Sequence, residues 1–148
     1  MYRKILVPTD GSRLSDRAVK EATLLAQAMD AKLVLFHALP DVHQQPIYSE
    51  GSSALLVSRR RVRKAAASRA RGILTAAAKK AQAAGVSASR KYAAAASPHD
   101  AIVTAAQKHR CDLIVIASHG RRGLSRFLLG SETQAVLSRA RVPVLVVR

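Results

Sequence analysis

Two glycines and a hydroxyl side chain in the last third of the chain have a spacing that suits phosphate binding. Gly120 follows an apolar run, and Gly130 and Ser131 stand together ten residues later. Glycines let the backbone approach a ligand closely, and the first amides of a helix attract anions. Positive charge lies between the two glycines, at Arg121, Arg122 and Arg126. The pattern predicts an anion site, and the alternative is that the glycines only serve turns.

A second polar cluster follows the first apolar run of the chain. Pro8, Thr9, Asp10 and Gly11 come directly after residues 5–7. The Asp10 carboxylate could accept a hydrogen bond from a sugar hydroxyl or help to hold a metal ion. The alternative is a purely local role at the start of the following helix. Either chemistry requires a strand that delivers this cluster to one edge of a sheet.

The elements that would position these clusters alternate along the chain. Short aliphatic runs predict strands at residues 4–7, 32–38, 86–94, 112–118 and 142–147. Helical spacing predicts helices at residues 14–29, 54–84, 98–109 and 131–140, with Ser12 or Ser15 capping the first and Ser97 the third. This order predicts one α/β domain over residues 1–148, with a doubly wound parallel sheet and helices on both faces. Ligands bind at the carboxyl ends of such strands, where both polar clusters fall.

Several segments together give the chain a family resemblance. They are the glycine pattern Ala117-x2-Gly120-x9-Gly130-Ser131, the opening residues 7–12, His37, the segment Ser97-Pro98-His99 and the closing residues 142–147. The chain resembles the universal stress protein family, whose ATP-binding members carry the pattern G-x2-G-x9-G-[S/T]. The match runs from the first strand to the last.

The resemblance implies a cytoplasmic protein that binds ATP at the carboxyl ends of strands 1 and 4, as a sensor or switch in the stress response. By position it implies adenosine contacts from Pro8, Thr9, Asp10 and Ala38, approach from Ile116, Ala117 and Gly120, and phosphate contacts from Gly130, Ser131, Glu132 and Thr133. ADP or AMP in place of ATP, and the participation of Mg²⁺, stay open. The resemblance also implies the strand order 3-2-1-4-5 and a homodimer paired through the last strand.

Two residues depart from the family pattern. Ala117 stands where the pattern has its first glycine, and its methyl group would crowd the ligand unless the local backbone is extended. Glu132 follows Gly130 and Ser131 directly. Its carboxylate would repel phosphate if it pointed inward, whereas an outward carboxylate would only favour the start of the helix.

The sequence lacks the motifs of several enzyme classes. It contains no G-x-S-x-G, G-x4-G-K-[ST], G-x-G-x-x-G or H-E-x-x-H segment. We therefore predict binding without a catalytic residue or a metal-binding site, and at most a slow ATPase. The lone Cys111 permits no intramolecular disulfide, fits a reducing compartment and is expected in the core.

Composition adds a second functional hypothesis. The 148 residues are 49% hydrophobic but only 3% aromatic, which predicts an aliphatic core, and the formal net charge is +16. Seven of the thirteen residues from Arg59 to Arg71 are basic, with no aromatic among them. This run is either a solvated helix face or a surface for nucleic acid or an acidic partner, independent of nucleotide. No stretch is long and apolar enough for a membrane span or signal peptide, so no membrane partner is expected.

Overall fold

Strands and helices alternate throughout, as the sequence predicts. A computed structural model describes residues 1–41, 52–119 and 129–148. The strands are β1 (Lys4–Pro8), β2 (Lys32–Pro40), β3 (Ala88–Ala95), β4 (Leu113–Ala117) and β5 (Val144–Val147). The helices are α1 (Arg13–Met29), α2 (Ser52–Ala83), α3 (Pro98–Lys108) and α4 (Ser131–Arg139). All strand pairs are parallel, and the order β3-β2-β1-β4-β5 confirms the predicted sheet.

Aliphatic side chains cover the sheet on both faces. Val7 and Val115 belong to a buried cluster with residues of α1 and α2. Leu6, Phe36 and Ile114 belong to a second cluster with residues of α3 and α4. Successive residues of a strand point to opposite faces, so a strand covered on both faces is apolar at every position. The predicted helices on both faces and the aliphatic core are confirmed.

The predicted caps of α1 and α3 are also present. The Ser12 hydroxyl accepts a hydrogen bond from the Ser15 amide at 3.2 Å, so Ser12, and not Ser15, is the cap of α1. The Ser97 hydroxyl accepts the Asp100 amide at 3.4 Å, and Pro98 occupies the first turn of α3. Short polar side chains thus satisfy amides that a helix cannot pair within itself.

Several strands begin or end at residues other than those predicted, because tertiary contacts determine where pairing starts and stops. β2 continues to Pro40 because it stays paired with β3, Pro40 lying opposite Ala95. β4 begins only after Asp112, whose carboxylate accepts the amides of Arg3 and Lys4 at 2.8 and 2.9 Å. The predicted loops 41–53 and 119–130 fall largely in residues 42–51 and 120–128, outside the described residues.

β3 and β5 form the two edges of the sheet. β3 is mostly exposed, and Leu145 of β5 is 41% exposed. A paired second copy of the chain would satisfy the open edge of β5, so the homodimer through the last strand stays a prediction. In the described residues, no helix has the length and apolar character needed to cross a membrane.

Candidate functional site

The predicted site residues converge where the strand order reverses. β1 lies at the centre of the sheet, between β2 and β4. From β1 the chain builds outward to β3, then returns to add β4 and β5 on the other side. In open α/β sheets a crevice forms at this point, beyond the carboxyl ends of the strands. Pro8 ends β1, and Ile116 and Ala117 end β4, so all three lie at this edge.

The turn after β1 is held together by its own side chains. The hydroxyl of Thr9, which is 4% exposed, lies 3.0 Å from that of Ser15 and accepts the Gly11 amide at 3.2 Å. Oδ1 of Asp10 accepts the Ser12 amide at 2.9 Å. Gly11 has φ +75°, a conformation that favours glycine. The turn therefore fixes the Asp10 carboxylate beside the end of β1 and uses the Thr9 hydroxyl internally.

β2 braces this turn from the neighbouring strand. Nδ1 of His37 lies 2.7 Å from the carbonyl oxygen of Thr9. A carbonyl only accepts, so Nδ1 of His37 carries the proton and donates it. Phe36 lies opposite Pro8, the last residue of β1, and Ala38 comes two residues later in β2. Ala38 is partly buried. Ala38 thus extends past the end of β1, along the same edge.

The first turn of α4 is attached directly to the end of β4. The Gly130 amide donates to the carbonyl oxygen of Ser118 at 2.8 Å, and the buried Thr133 hydroxyl donates to that of Ala117 at 2.9 Å. Gly130 caps α4 without any side-chain hydrogen bond. A helix cannot satisfy its first amides internally, so residues 131–133 present amides next to β4. This arrangement suits an anion.

Gly130 is required by space, and not by its backbone conformation. Its φ of −60° is open to any residue. A β-carbon at this position would lie 3.2 Å from the carbonyl oxygen of Ser118 and 3.2 Å from the α-carbon of His119. The glycine therefore allows α4 to start in contact with the backbone that leaves β4.

The methyl group of Ala117 belongs to the core. Ala117 is extended at the end of β4, is 7% exposed and packs in the cluster beneath α1 and α2. Ile116 points to the opposite face and is equally buried. Both residues can therefore offer a ligand little beyond their backbone. The backbone of Ala117 is extended, which is the condition under which its methyl group was expected to leave room for a ligand.

The carboxylate of Glu132 points toward α3. Its Oε2 accepts the backbone amide of His99 at 2.9 Å and the Nδ1 of the His99 ring at 2.8 Å. The outward orientation, one of the two expected for Glu132, is therefore the one observed. The backbone amide of Glu132 remains part of the first turn of α4.

Further polar contacts surround the start of α3. The hydrogen bond from Ser97, with the charges of His99 and Arg139, holds the pKa of Asp100 below its ordinary value. Arg139, the last residue of α4, lies 3.2 Å from Oδ1 of Asp100. A hydrogen bond from His99 to Glu132 and an ion pair between Arg139 and Asp100 therefore join α3 to the two ends of α4.

Several predicted residues lie elsewhere or outside the described part. Gly120 and the three loop arginines (Arg121, Arg122 and Arg126) fall outside it. Cys111 is buried, as predicted, and burial raises the pKa of its thiol to about 11. Among the described residues, no three His, Cys, Asp or Glu side chains are grouped so that they could hold a metal ion.

The sequence did not reveal the contacts by which three side chains support the site. Ser15 and His37 hold the turn after β1, and His99 holds Glu132. His37 and His99 lie within the family-like segments, but their partners are 28 and 33 residues away in sequence. The sequence offered one clue to these roles. His37 lies near the end of a predicted strand and His99 at the start of a predicted helix, and the predicted topology brings both to the same edge of the sheet.

Comparison with known proteins gives a consistent result. A profile of the universal stress protein family matches residues 1–148. Universal stress protein MJ0531 of Methanocaldococcus jannaschii is 32% identical over all of this chain and 83% of its own length. The structure of MJ0577, from the same organism, superposes with a TM-score of 0.84 at 26% identity, covering 99% of this chain and 96% of that one. A universal stress protein solved in complex with cAMP superposes with a TM-score of 0.72 at 31% identity, covering 99% and 97%.

Proposed function

The chain belongs to the universal stress protein family, and on that premise we propose that it binds an adenine nucleotide, ATP in particular, as a sensor or switch. The observation that carries the proposal is the attachment of the first turn of α4 to the end of β4, through Gly130 and Thr133. This attachment sets the first amides of α4, which no side chain of the described residues caps, at the strand-order reversal. The similar protein solved with cAMP makes an adenine nucleotide the natural ligand class to test.

Each site residue has a proposed part that fits its contacts. Pro8, Thr9 and Ala38 would line the adenosine pocket with backbone, and Asp10 would accept a ribose hydroxyl. Ile116, Ala117 and Gly120 would approach the nucleotide from β4 and the segment after it. Gly130, Ser131, Glu132 and Thr133 would surround the phosphates with backbone, and the exposed Ser131 hydroxyl would add a donor. Mg²⁺ would arrive with the nucleotide.

Under this proposal the site binds and does not turn over quickly. The three described histidines near it all have hydrogen-bond partners: His37 donates to Thr9, His99 donates to Glu132, and Nδ1 of His119 lies 3.3 Å from the Ser118 hydroxyl. The Thr9 and Thr133 hydroxyls are also committed to protein partners. Binding would instead alter the surface that the site offers to a partner.

Calorimetric titration of the full chain with ATP and Mg²⁺, beside ADP, AMP and cAMP, tests the proposal. Ser131→Ala is expected to weaken ATP binding about tenfold, because a hydrogen bond to a charged group contributes about 1.5–3 kcal/mol. Ser138→Ala, at the other end of α4, is the matched control and is expected to bind as the natural chain does. A chain that takes up none of these nucleotides contradicts the proposal.

A second candidate function uses a different surface, which we name the basic arm (residues 57–71 of α2). None of its described side chains is buried before Ala70, and even Val57 and Val62 are 53% and 42% exposed. The sequence places no Asp or Glu between Glu50 and Asp100. The same interval, from Glu50 to Asp100, contains eleven basic residues: Arg59, Arg60, Arg61, Arg63, Lys64, Arg69, Arg71, Lys79, Lys80, Arg90 and Lys91.

Such a surface favours nucleic acid, with an acidic protein as the other partner. Without aromatic side chains, the basic arm would contact backbone phosphates and not stack on bases. Fluorescence anisotropy with a 20-base-pair duplex should show affinity that falls steeply with salt. Changing Arg60, Arg61, Arg63 and Lys64 to Gln should flatten that salt dependence, while Lys20→Gln on α1 should not. Duplex binding whose affinity does not depend on salt concentration, or that is unchanged in the variant with all four substitutions, counts against this function.

A further inference from the structure

The carboxylate of Glu132 is held by two donors of the same residue. Oε2 of Glu132 lies 2.9 Å from the backbone nitrogen of His99 and 2.8 Å from its Nδ1. Because a carboxylate only accepts, both of these nitrogens donate. The His99 side chain is 18% exposed, against 47% for Glu132, so the ring is the more buried partner of the pair.

The other side of the His99 ring is fixed as well. Nε2 of His99 lies 3.1 Å from the Ser97 hydroxyl and 3.7 Å from Oδ1 of Asp100. Arg139 in turn lies 3.2 Å from the same carboxylate oxygen of Asp100. The ring is therefore held between two helices, and turning it away from Glu132 would break contacts on both sides.

Ser97, His99 and Glu132 are in contact in series, as are the nucleophile, the base and the carboxylate of a catalytic triad. The other hydrogen bonds of these residues indicate a different role. The Ser97 hydroxyl makes its shorter contact, 2.7 Å, with the carboxylate of Asp100. The nearby amides of α3 are also committed, that of His99 to Glu132 and that of Asp100 to Ser97. Among the described residues at the start of α3, no pair of amides is left to stabilise an oxyanion.

The position of Glu132 gives these contacts a consequence for the site. Its backbone amide is one of the amides in the first turn of α4 that no side chain of the described residues caps. A carboxylate released from α3 would lie next to those amides, where acidic side chains commonly settle, and would compete with phosphate for them. The attachment to His99 places that charge at the start of α3, where the helix dipole also favours it.

We propose that His99 is a positioning residue of the nucleotide site. It holds the Glu132 carboxylate on α3, and so keeps the first turn of α4 open to phosphate. The inference rests on the proposed function and adds to it a selectivity rule. The contribution of His99 should grow with the charge of the ligand, being absent for adenosine, small for AMP and largest for ATP.

Titration of ATP, AMP and adenosine into four variants tests the inference. His99→Ala is expected to weaken ATP binding about tenfold, since one unscreened charge near phosphate corresponds to about that factor. Adenosine binding should not change. His99→Asn, whose side-chain amide can still donate near the position of Nδ1, should recover most of the loss. Glu132→Gln should bind ATP about twofold more tightly than the natural chain, because the competing charge is gone.

The decisive variant combines His99→Ala with Glu132→Gln. If His99 acts by holding the charge, the double variant should recover ATP affinity to that of Glu132→Gln. A double variant as weak as His99→Ala, or an equal loss for ATP and adenosine, would overturn the inference and leave the proposed function intact. A natural chain that binds no adenine nucleotide would overturn the proposed function itself, and this inference with it.

Discussion

The helices α1 and α4 begin at the same edge of the sheet, after the central strands β1 and β4, yet their first turns are built differently. α1 is closed by its own residues, because Ser12 accepts the Ser15 amide and Asp10 accepts that of Ser12. α4 has Gly130 at the cap position and no side-chain hydrogen bond there. Two helices that begin at the same edge therefore differ in whether side chains close their first turn. α1 completes the turn after β1, whereas the first turn of α4 has no side-chain cap and, in our proposal, receives the phosphates.

The largest effect is expected from a substitution that gives α4 a side-chain cap like that of α1. In a Gly130→Asp variant, the new carboxylate would accept the first-turn amides and repel phosphate, as acidic caps do. We expect ATP affinity to fall about a hundredfold, a loss near 2.7 kcal/mol. Calorimetric titration measures the loss.

Gly130→Ala is the control for crowding at the same position. Its β-carbon also meets the backbone of Ser118 and His119, so it should lower the free energy of unfolding by about 1–3 kcal/mol. An aspartate variant that binds ATP no worse than this alanine variant would refute the distinction between the two helices.

The next largest effect concerns the anchor of α4. Thr133→Val removes the buried hydrogen bond to the Ala117 carbonyl, and we expect a loss of about 1–3 kcal/mol in the free energy of unfolding. ATP affinity should fall too, because the first turn of α4 loses its fixed position. Chemical denaturation and titration measure the two effects.

Thr23→Val is the matched control for Thr133. Its buried hydroxyl donates within α1 to the Val19 carbonyl, which the helix already pairs. The stability loss should be smaller and ATP affinity should not change. Equal effects of the two valine variants on ATP would show that anchoring α4 is unimportant.

The cap of α1 should matter for stability alone. Ser12→Ala is expected to lower the free energy of unfolding by about 1 kcal/mol, the ordinary cost of a lost cap. The ratio of ATP to AMP affinity should stay constant, since the proposed phosphate site is at α4 and not at α1. A ratio that falls toward one would place phosphate at α1 and contradict the comparison.

The smallest effect is expected from a substitution in α3, whose first turn, like that of α1, is capped by a side chain. The pKa of Asp100 is lowered, first by the Ser97 hydrogen bond, so its ionised form stabilises the fold. That stabilisation is present above the ordinary value of 3.8 and disappears as pH falls through the lowered pKa. Asp100→Asn should therefore lower the melting temperature slightly near neutral pH and not at the acid end.

Glu21→Gln, on the exposed face of α1, controls for the loss of one negative charge. A difference for Asp100→Asn that persists unchanged into acid would show that the carboxylate is not the source of the effect.

Much of the molecule was predictable because it depends on local patterns. Continuous aliphatic runs such as that of β4 predicted buried strands, and alternation with helices predicted the parallel sheet. The caps Ser12 and Ser97 were predicted because a hydroxyl at a helix start has a local partner, three residues away. The strand order came from the family resemblance and is confirmed. Boundaries were less predictable, because pairing with β3 carries β2 on to Pro40.

The residue types alone thus determined the alternating elements, the aliphatic core and the edge to which the polar clusters are delivered. Only the tertiary structure decided that the Ala117 methyl lies in the core, that His37 braces the turn after β1, and that Glu132 turns toward His99. The physical reason is range. Helix caps and strand patterns depend on neighbours along the chain, whereas the direction of a side chain depends on partners that come within 3 Å only after the sheet has brought distant segments together.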